Sequence, residues 1–197
     1  QNTALGVGSL KANTTASFNT AVGYNAGVAN TTGTKNAFFG SYTGDANTDG
    51  DNNTAIGQAA LSANTTGDNN TALGNDALIS NTTADYNTAV GVGSSFTNTT
   101  GTENTSIGAF ASYYNTTGDF NVSVGKNALT SNTTASYNTA VGYQAGYTNT
   151  TGDGLTAIGF QSLLSNTTGT QNTAQGYKAL YANTTGSYNT GLGFQAL

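Results

Sequence analysis

The chain has 197 residues, a net charge of −5 and only 7% charged residues, with no His, Cys, Met, Pro or Trp. This composition excludes disulfides and thiolate metal sites, and it supplies no imidazole for acid–base chemistry. The four basic residues Lys11, Lys35, Lys126 and Lys178 are scattered, and no apolar run approaches the ~20 residues that span a bilayer, so neither nucleic-acid binding nor membrane insertion is expected.

In chain order the first element is Asn2-Thr3-Ala4-Leu5-Gly6. Its pattern returns at Asn19, Asn36, Asn53, Asn70, Asn87, Asn104, Asn121, Asn138, Leu155, Asn172 and Asn189, always after 17 residues. A fixed short period is the mark of a solenoid whose coils stack on one another. A low-charge chain rich in Asn, Thr and Gly also fits disorder, but a disordered linker has no need to hold a register.

Numbering each coil from its leading Asn, positions 2 to 4 read as a strand of Thr, Ala and a branched aliphatic. Thr88 and Val90 share one face and Ala89 takes the other. Position 4 is the predicted core stack: Leu5, Val22, Phe39, Ile56, Leu73, Val90, Ile107, Val124, Val141, Ile158 and Leu192, with Gln175 the odd member. Ala at position 3 then reads as the side that lets another chain approach. Position 5 is Gly throughout (Gly6, Gly23, Gly40, Gly57, Gly74, Gly91, Gly108, Gly125, Gly142, Gly159, Gly176 and Gly193), which ends the strand in a turn that other residues cannot adopt.

Position 8 is always small, from Ser9 to Ala196. Position 9 is often Leu (Leu61, Leu78, Leu129, Leu163, Leu180) and otherwise Gly or Ser in most coils. Large residues at positions 6 and 10 accompany several Gly coils, as Tyr143 and Tyr147 flank Gly146, which predicts volume exchange between these positions. Position 12 is an unbroken series: Asn13, Asn30, Asn47, Asn64, Asn81, Asn98, Asn115, Asn132, Asn149, Asn166 and Asn183. With the Thr residues that follow, it reads as a second short strand carrying an Asn ladder, then a turn back to the next coil.

The expected fold is therefore all-β: a parallel β-solenoid (β-roll) of 17-residue coils, residues 1–197 forming a single repeat domain of about 11.5 coils. At one strand spacing per coil the rod measures roughly 55 Å. Gln1 falls at the last position of a coil and Leu197 at the ninth, which suggests a segment of a longer fibre. One thin coil buries little apolar surface, so association with other chains is expected.

The strand Asn87-Thr88-Ala89-Val90-Gly91, and its variant Asn104-Thr105-Ser106-Ile107-Gly108, resemble the Ser-Val-Ala-Ile-Gly type motif of trimeric autotransporter adhesin heads. The stretches 138–146 and 179–186 look like repeats of bacterial and phage tail-fibre-like proteins. The resemblance covers the whole chain, although adhesin head coils are usually shorter. It implies a homotrimer of left-handed rolls and an extracellular place on a cell surface, a secreted filament or a virion fibre.

No constellation for catalysis is visible, and no cofactor is expected. Asp51, Asp68 and Asp85 recur at position 16, with Asp119 and Asp153 later. The column suggests either a Ca²⁺ site or caps of solvent-exposed turns, and the exchange with Ser and Thr in other coils favours caps. Ten position-12 Asn residues match the N-glycosylation pattern, as do Asn52, Asn69 and Asn121; Asn47 keeps its Asn although Asp49 destroys the pattern, which favours the ladder. Thr arrays such as Thr88, Thr99 and Thr100 suit ice binding as well as strand formation. Tyr24, Phe96, Tyr113, Tyr137, Tyr181 and Tyr188 suggest an aromatic strip for a host-surface or glycan ligand, but their irregular placement predicts no defined pocket. The function expected is a stiff structural segment of an extracellular fibre. The alternatives are a self-polymerising filament subunit and an ice-binding solenoid.

Overall fold

The computed structural model describes all 197 residues. Twelve three-residue strands follow one another: β1 Thr3–Leu5, β2 Thr20–Val22, β3 Ala37–Phe39, β4 Thr54–Ile56, β5 Thr71–Leu73, β6 Thr88–Val90, β7 Thr105–Ile107, β8 Val122–Val124, β9 Thr139–Val141, β10 Thr156–Ile158, β11 Thr173–Gln175 and β12 Thr190–Leu192. They form one parallel sheet in sequence order. Every residue pairs with its own repeat position, as Thr88 with Thr105, Ala89 with Ser106 and Val90 with Ile107. The fold is thus an all-β parallel solenoid with one coil per repeat.

The sheet is only part of what joins the coils. Of 125 backbone hydrogen bonds, 103 lie outside the strands, and most of these climb from one coil to the next around the whole perimeter. Positions 12 to 14 do not form the expected second strand. The chain bends there, so that two successive N–H groups converge on one carbonyl: Thr31 and Thr32 both donate to Thr48, at 2.9 and 3.1 Å. A strand would alternate its donors and acceptors instead.

The predicted core stack is corrected by the structure. Position 3 faces inward, and every residue there from Ala21 to Ala174 is fully buried. Position 4 faces outward: Leu5, Phe39, Ile56, Ile107, Val141, Ile158 and Leu192 are exposed, and Val22, Leu73, Val90 and Val124 are half-buried. The physical reason lies two residues upstream. Asn at position 1 reaches across the lumen to the position-15 carbonyl of its own coil, as Asn53 Nδ2 does to Gly67 at 2.8 Å. Side chains alternate along a strand, so an inward position 1 carries position 3 inward and turns positions 2 and 4 out. Ala at position 3 therefore packs inside the coil and does not admit a neighbouring chain.

The core of the coil 53–69 shows the general plan: Asn53, Ala55, Ala60, Leu61, Asn64 and Gly67 are buried. Volume exchange operates between positions 3 and 9, both inside, and not with positions 6 and 10. Phe38 replaces the usual Ala where Gly27 and Gly44 replace Leu. A Cβ at Gly44 would lie 2.5 Å from the Phe38 ring, and one at Gly27 would lie 2.9 Å from it. In the middle of the rod both positions become Ser. Ser95 donates to Ser106 Oγ at 2.8 Å and Ser112 to Ser123 Oγ at 2.8 Å, so the buried hydroxyls satisfy one another. This polar plug separates two hydrophobic clusters, one ending at Ala89 and the other beginning at Ala128.

Each coil turns its corners with left-handed residues. Gly91 at position 5 has φ +131°, and a Cβ there would lie 2.7 Å from the Gly108 carbonyl carbon and oxygen. Positions 7, 9 and 17 also adopt positive φ but usually carry side chains, as Leu61 (56°), Gln144 (55°) and Tyr137 (62°) show.

Candidate functional site: an uncharged outer sheet face

The outer face of the sheet is built from positions 2 and 4. Thr or a small substitute forms one column and Val, Ile, Leu or Phe the other. Among these positions from Thr3 to Leu192 there is no charged residue, and Gln175 is the one large polar side chain. Twelve rungs at one strand spacing make a strip roughly 55 Å long. Beside it, at position 6, Tyr143, Phe160, Tyr177 and Phe194 stack ring on ring at 5.4, 5.2 and 5.1 Å. The aromatic rings face one another along the rod, so they present edges to solvent and widen the apolar strip at its C-terminal half. An uncharged strip of this length, with an aliphatic column along it, is comparable to the largest patches of ordinary monomer surfaces, which are often functional.

Two amide ladders hold this face rigid from inside. At position 12 each Asn donates to the one below it, as Asn64 Nδ2 to Asn47 Oδ1 at 2.7 Å and Asn115 Nδ2 to Asn98 Oδ1 at 2.9 Å. The second hydrogen of the same amide goes to the position-15 carbonyl three residues on, as Asn64 to Gly67 at 3.0 Å. The bonds run without a break from Asn30 to Asn183. At position 1 the ladder uses the backbone instead: the N–H of Asn87 donates to Asn70 Oδ1 at 2.9 Å. Leu155 interrupts this second series. Its own N–H still donates to Asn138 Oδ1 at 2.8 Å, but it has no carboxamide to pass on to Asn172. One rung before Leu155, Asn138 Nδ2 is buried without a partner.

The position-12 Asn residues from Asn30 to Asn166 are buried, those from Asn47 onward with both amide hydrogens engaged, and Asn121 is buried as well. Their Asn-Thr-Thr pattern serves the coil, whereas Asn52 and Asn69 stand exposed at position 17. The position-16 carboxylates are also ladder parts. Asp68 accepts the Asp51 N–H at 2.7 Å, Asp85 accepts that of Asp68 at 2.7 Å, and Ser187 takes the same role for Thr170 at 2.9 Å. A short side chain that ends in an oxygen acceptor meets this need, which explains the exchange of Asp and Ser. The Thr arrays are divided: Thr99 gives its hydroxyl to the Thr116 carbonyl at 3.0 Å, Thr100 is exposed, and Thr88 lies on the sheet face.

The aromatic residues singled out in the sequence also pair along the axis. Phe96 stacks on Tyr113 at 4.8 Å, Phe120 on Tyr137 at 5.2 Å, and Tyr24 meets Tyr42 edge-on at 5.3 Å. Tyr181 lies within 5.1 Å of the Lys178 ammonium, and Tyr188 is exposed. No helix is long and apolar enough to cross a membrane. Comparison of the chain with protein-family models, with curated proteins and with solved structures finds no match.

Proposed function

We propose that this chain is a stiff structural segment of an extracellular fibre, and that copies of it associate through the outer sheet face into a homotrimer. The observation that carries the reading is the uncharged strip of positions 2 and 4 running the length of the rod. Two columns over roughly 55 Å bring on the order of 500 Å² per chain, and the position-6 rings extend this toward the roughly 800 Å² per partner of a stable interface. Neighbouring copies have the same repeat along the axis, so their side chains can interdigitate rung by rung. Trimeric number follows from the likeness to adhesin heads and tail-fibre repeats. Ice binding has less support, because the sheet-face Thr column stands beside bulky aliphatics and the position-13 hydroxyls already bond to the next coil.

Sedimentation equilibrium of the wild type and of the double variant Ile107→Lys, Ile158→Lys tests this. Both substitutions lie on exposed side chains, so the β-rich circular dichroism should persist. The wild type should sediment as an elongated trimer at micromolar concentration and the variant as a monomer. A monomeric wild type, or a variant that still associates, refutes the reading. Electron micrographs of the same samples separate short rods from the long threads of a polymerising subunit.

A further inference from the structure

The turns that follow the strands carry a second aromatic cluster. Tyr113 stacks on Phe96, and it meets Phe110 and Tyr114 edge-on at 5.7 and 4.8 Å. Phe96 and Tyr113 occupy position 10 of successive coils. On the next rung position 10 is Thr130, and on the one after it is Tyr147. The ring column thus misses one member. The gap opens a cavity of about 220 Å³ lined by Phe110, Tyr113, Tyr114, Asn127, Thr130 and Tyr147.

We propose that this slot binds a neutral sugar, one pyranose ring lying between the rungs of Tyr113 and Tyr147. Two coils separate these residues, about 9.6 Å along the axis. The rod's own rings fill such a two-rung space, as Phe160 does between Tyr143 and Tyr177 at 5.4 and 5.2 Å, so one pyranose ring fits it. Its polarised C–H faces complement the negative faces of aromatic rings. Asn127 adds a carboxamide that both donates and accepts, which hydroxyl-rich ligands need. Thr130 donates its own hydrogen to the Phe110 carbonyl at 3.0 Å, so its oxygen remains an acceptor. None of the lining residues is charged, so an acidic or phosphorylated sugar would find no counter-ion there. The inference does not depend on the fibre reading, since every lining residue comes from one chain.

Saturation-transfer NMR on the full chain tests the proposal, with the methyl pyranosides of glucose, galactose and mannose as probes and N-acetylneuraminic acid as the charged control. Transfer to at least one neutral pyranoside, and none to the control, is expected. Thr130→Tyr puts the missing ring into the column and should abolish transfer. Asn127→Ala should weaken binding about five-fold, the effect of one lost hydrogen bond. The proposal is overturned by a wild type that shows no transfer to any of the three pyranosides, by equal transfer to the acidic control, or by Asn127→Ala binding as tightly as wild type. Undiminished transfer in a folded Thr130→Tyr protein overturns it as well; if that variant does not fold, Asn127→Ala decides.

Discussion

Replacing Asn98 in the middle of the ladder is the sharpest test of what holds the coils together. Asn98 donates to Asn81 Oδ1 at 3.1 Å and to the Gly101 carbonyl at 2.9 Å, and it accepts from Asn115 at 2.9 Å. Truncation to Ala breaks all three bonds. The Gly101 carbonyl keeps the Asn87 amide at 2.9 Å, so it is not orphaned. Asn81 Oδ1 and one Asn115 hydrogen are left buried and unpaired, at about 1–3 kcal/mol each. The expected loss is therefore about 4 kcal/mol, larger than for a typical surface substitution. Asn98→Asp should be worse at neutral pH, because a buried carboxylate cannot donate and faces the Asn81 oxygen. Burial and that oxygen raise its folded pKa above the unfolded value of about 3.9, so its deficit should shrink as pH falls from neutral toward 4. Guanidinium unfolding followed by circular dichroism gives the totals, and hydrogen exchange of peptides around residues 81–115 gives the local effect. Loss of under about 1 kcal/mol in Asn98→Ala, with an unchanged denaturant slope, would refute the argument that the ladder is a stabilising element.

Gly91→Ala should destabilise by about 3 kcal/mol or more, since φ +131° is closed to side chains and the Gly108 backbone blocks the Cβ; a melting temperature within a few degrees of wild type would contradict this. Phe38→Ala should cost about 3–5 kcal/mol by opening a cavity between Gly27 and Gly44. Adding Gly44→Leu should recover about half, because it recreates the Ala and Leu pairing of the coil with Ala55 and Leu61; denaturant midpoints of the single and double variants check the exchange. Asp49 accepts hydroxyl bonds from Thr32, from Thr48 at 3.2 Å and from Thr31 at 3.4 Å. These bonds, that from Thr32 most, hold its carboxyl below the ordinary value of 3.8 against a smaller opposing effect of desolvation. A lowered folded pKa contributes stability that is full above the unfolded value and lost as pH falls through the folded one. Melting temperatures of wild type should therefore fall more steeply below pH 3.8 than those of Asp49→Asn. Parallel curves would show that these hydroxyl bonds do not matter.

The 17-residue period alone determined that the chain is a stack of coils. Identical positions recurring without insertion can only meet their equivalents one coil away. Gly at position 5 likewise announced a backbone closed to other residues. The series from Asn13 to Asn183 announced a ladder, because an amide carries both donor and acceptor and can satisfy its own copies. Which way the strand faces was not legible in the same manner. Alternation puts Thr88 with Val90 and opposite Ala89, but it is symmetrical about the sheet, and hydrophobicity favours the wrong side. Only the closed coil decides, because its lumen is narrow and Asn87 must cross it to reach Gly101. The left-handed corners at Leu61, Gln144 and Tyr137 were equally hidden, since closure of the coil imposes that conformation on residues with no preference for it. The slot beside Thr130 is a product of stacking too: it exists only where rungs that are 17 residues apart in sequence become neighbours in space.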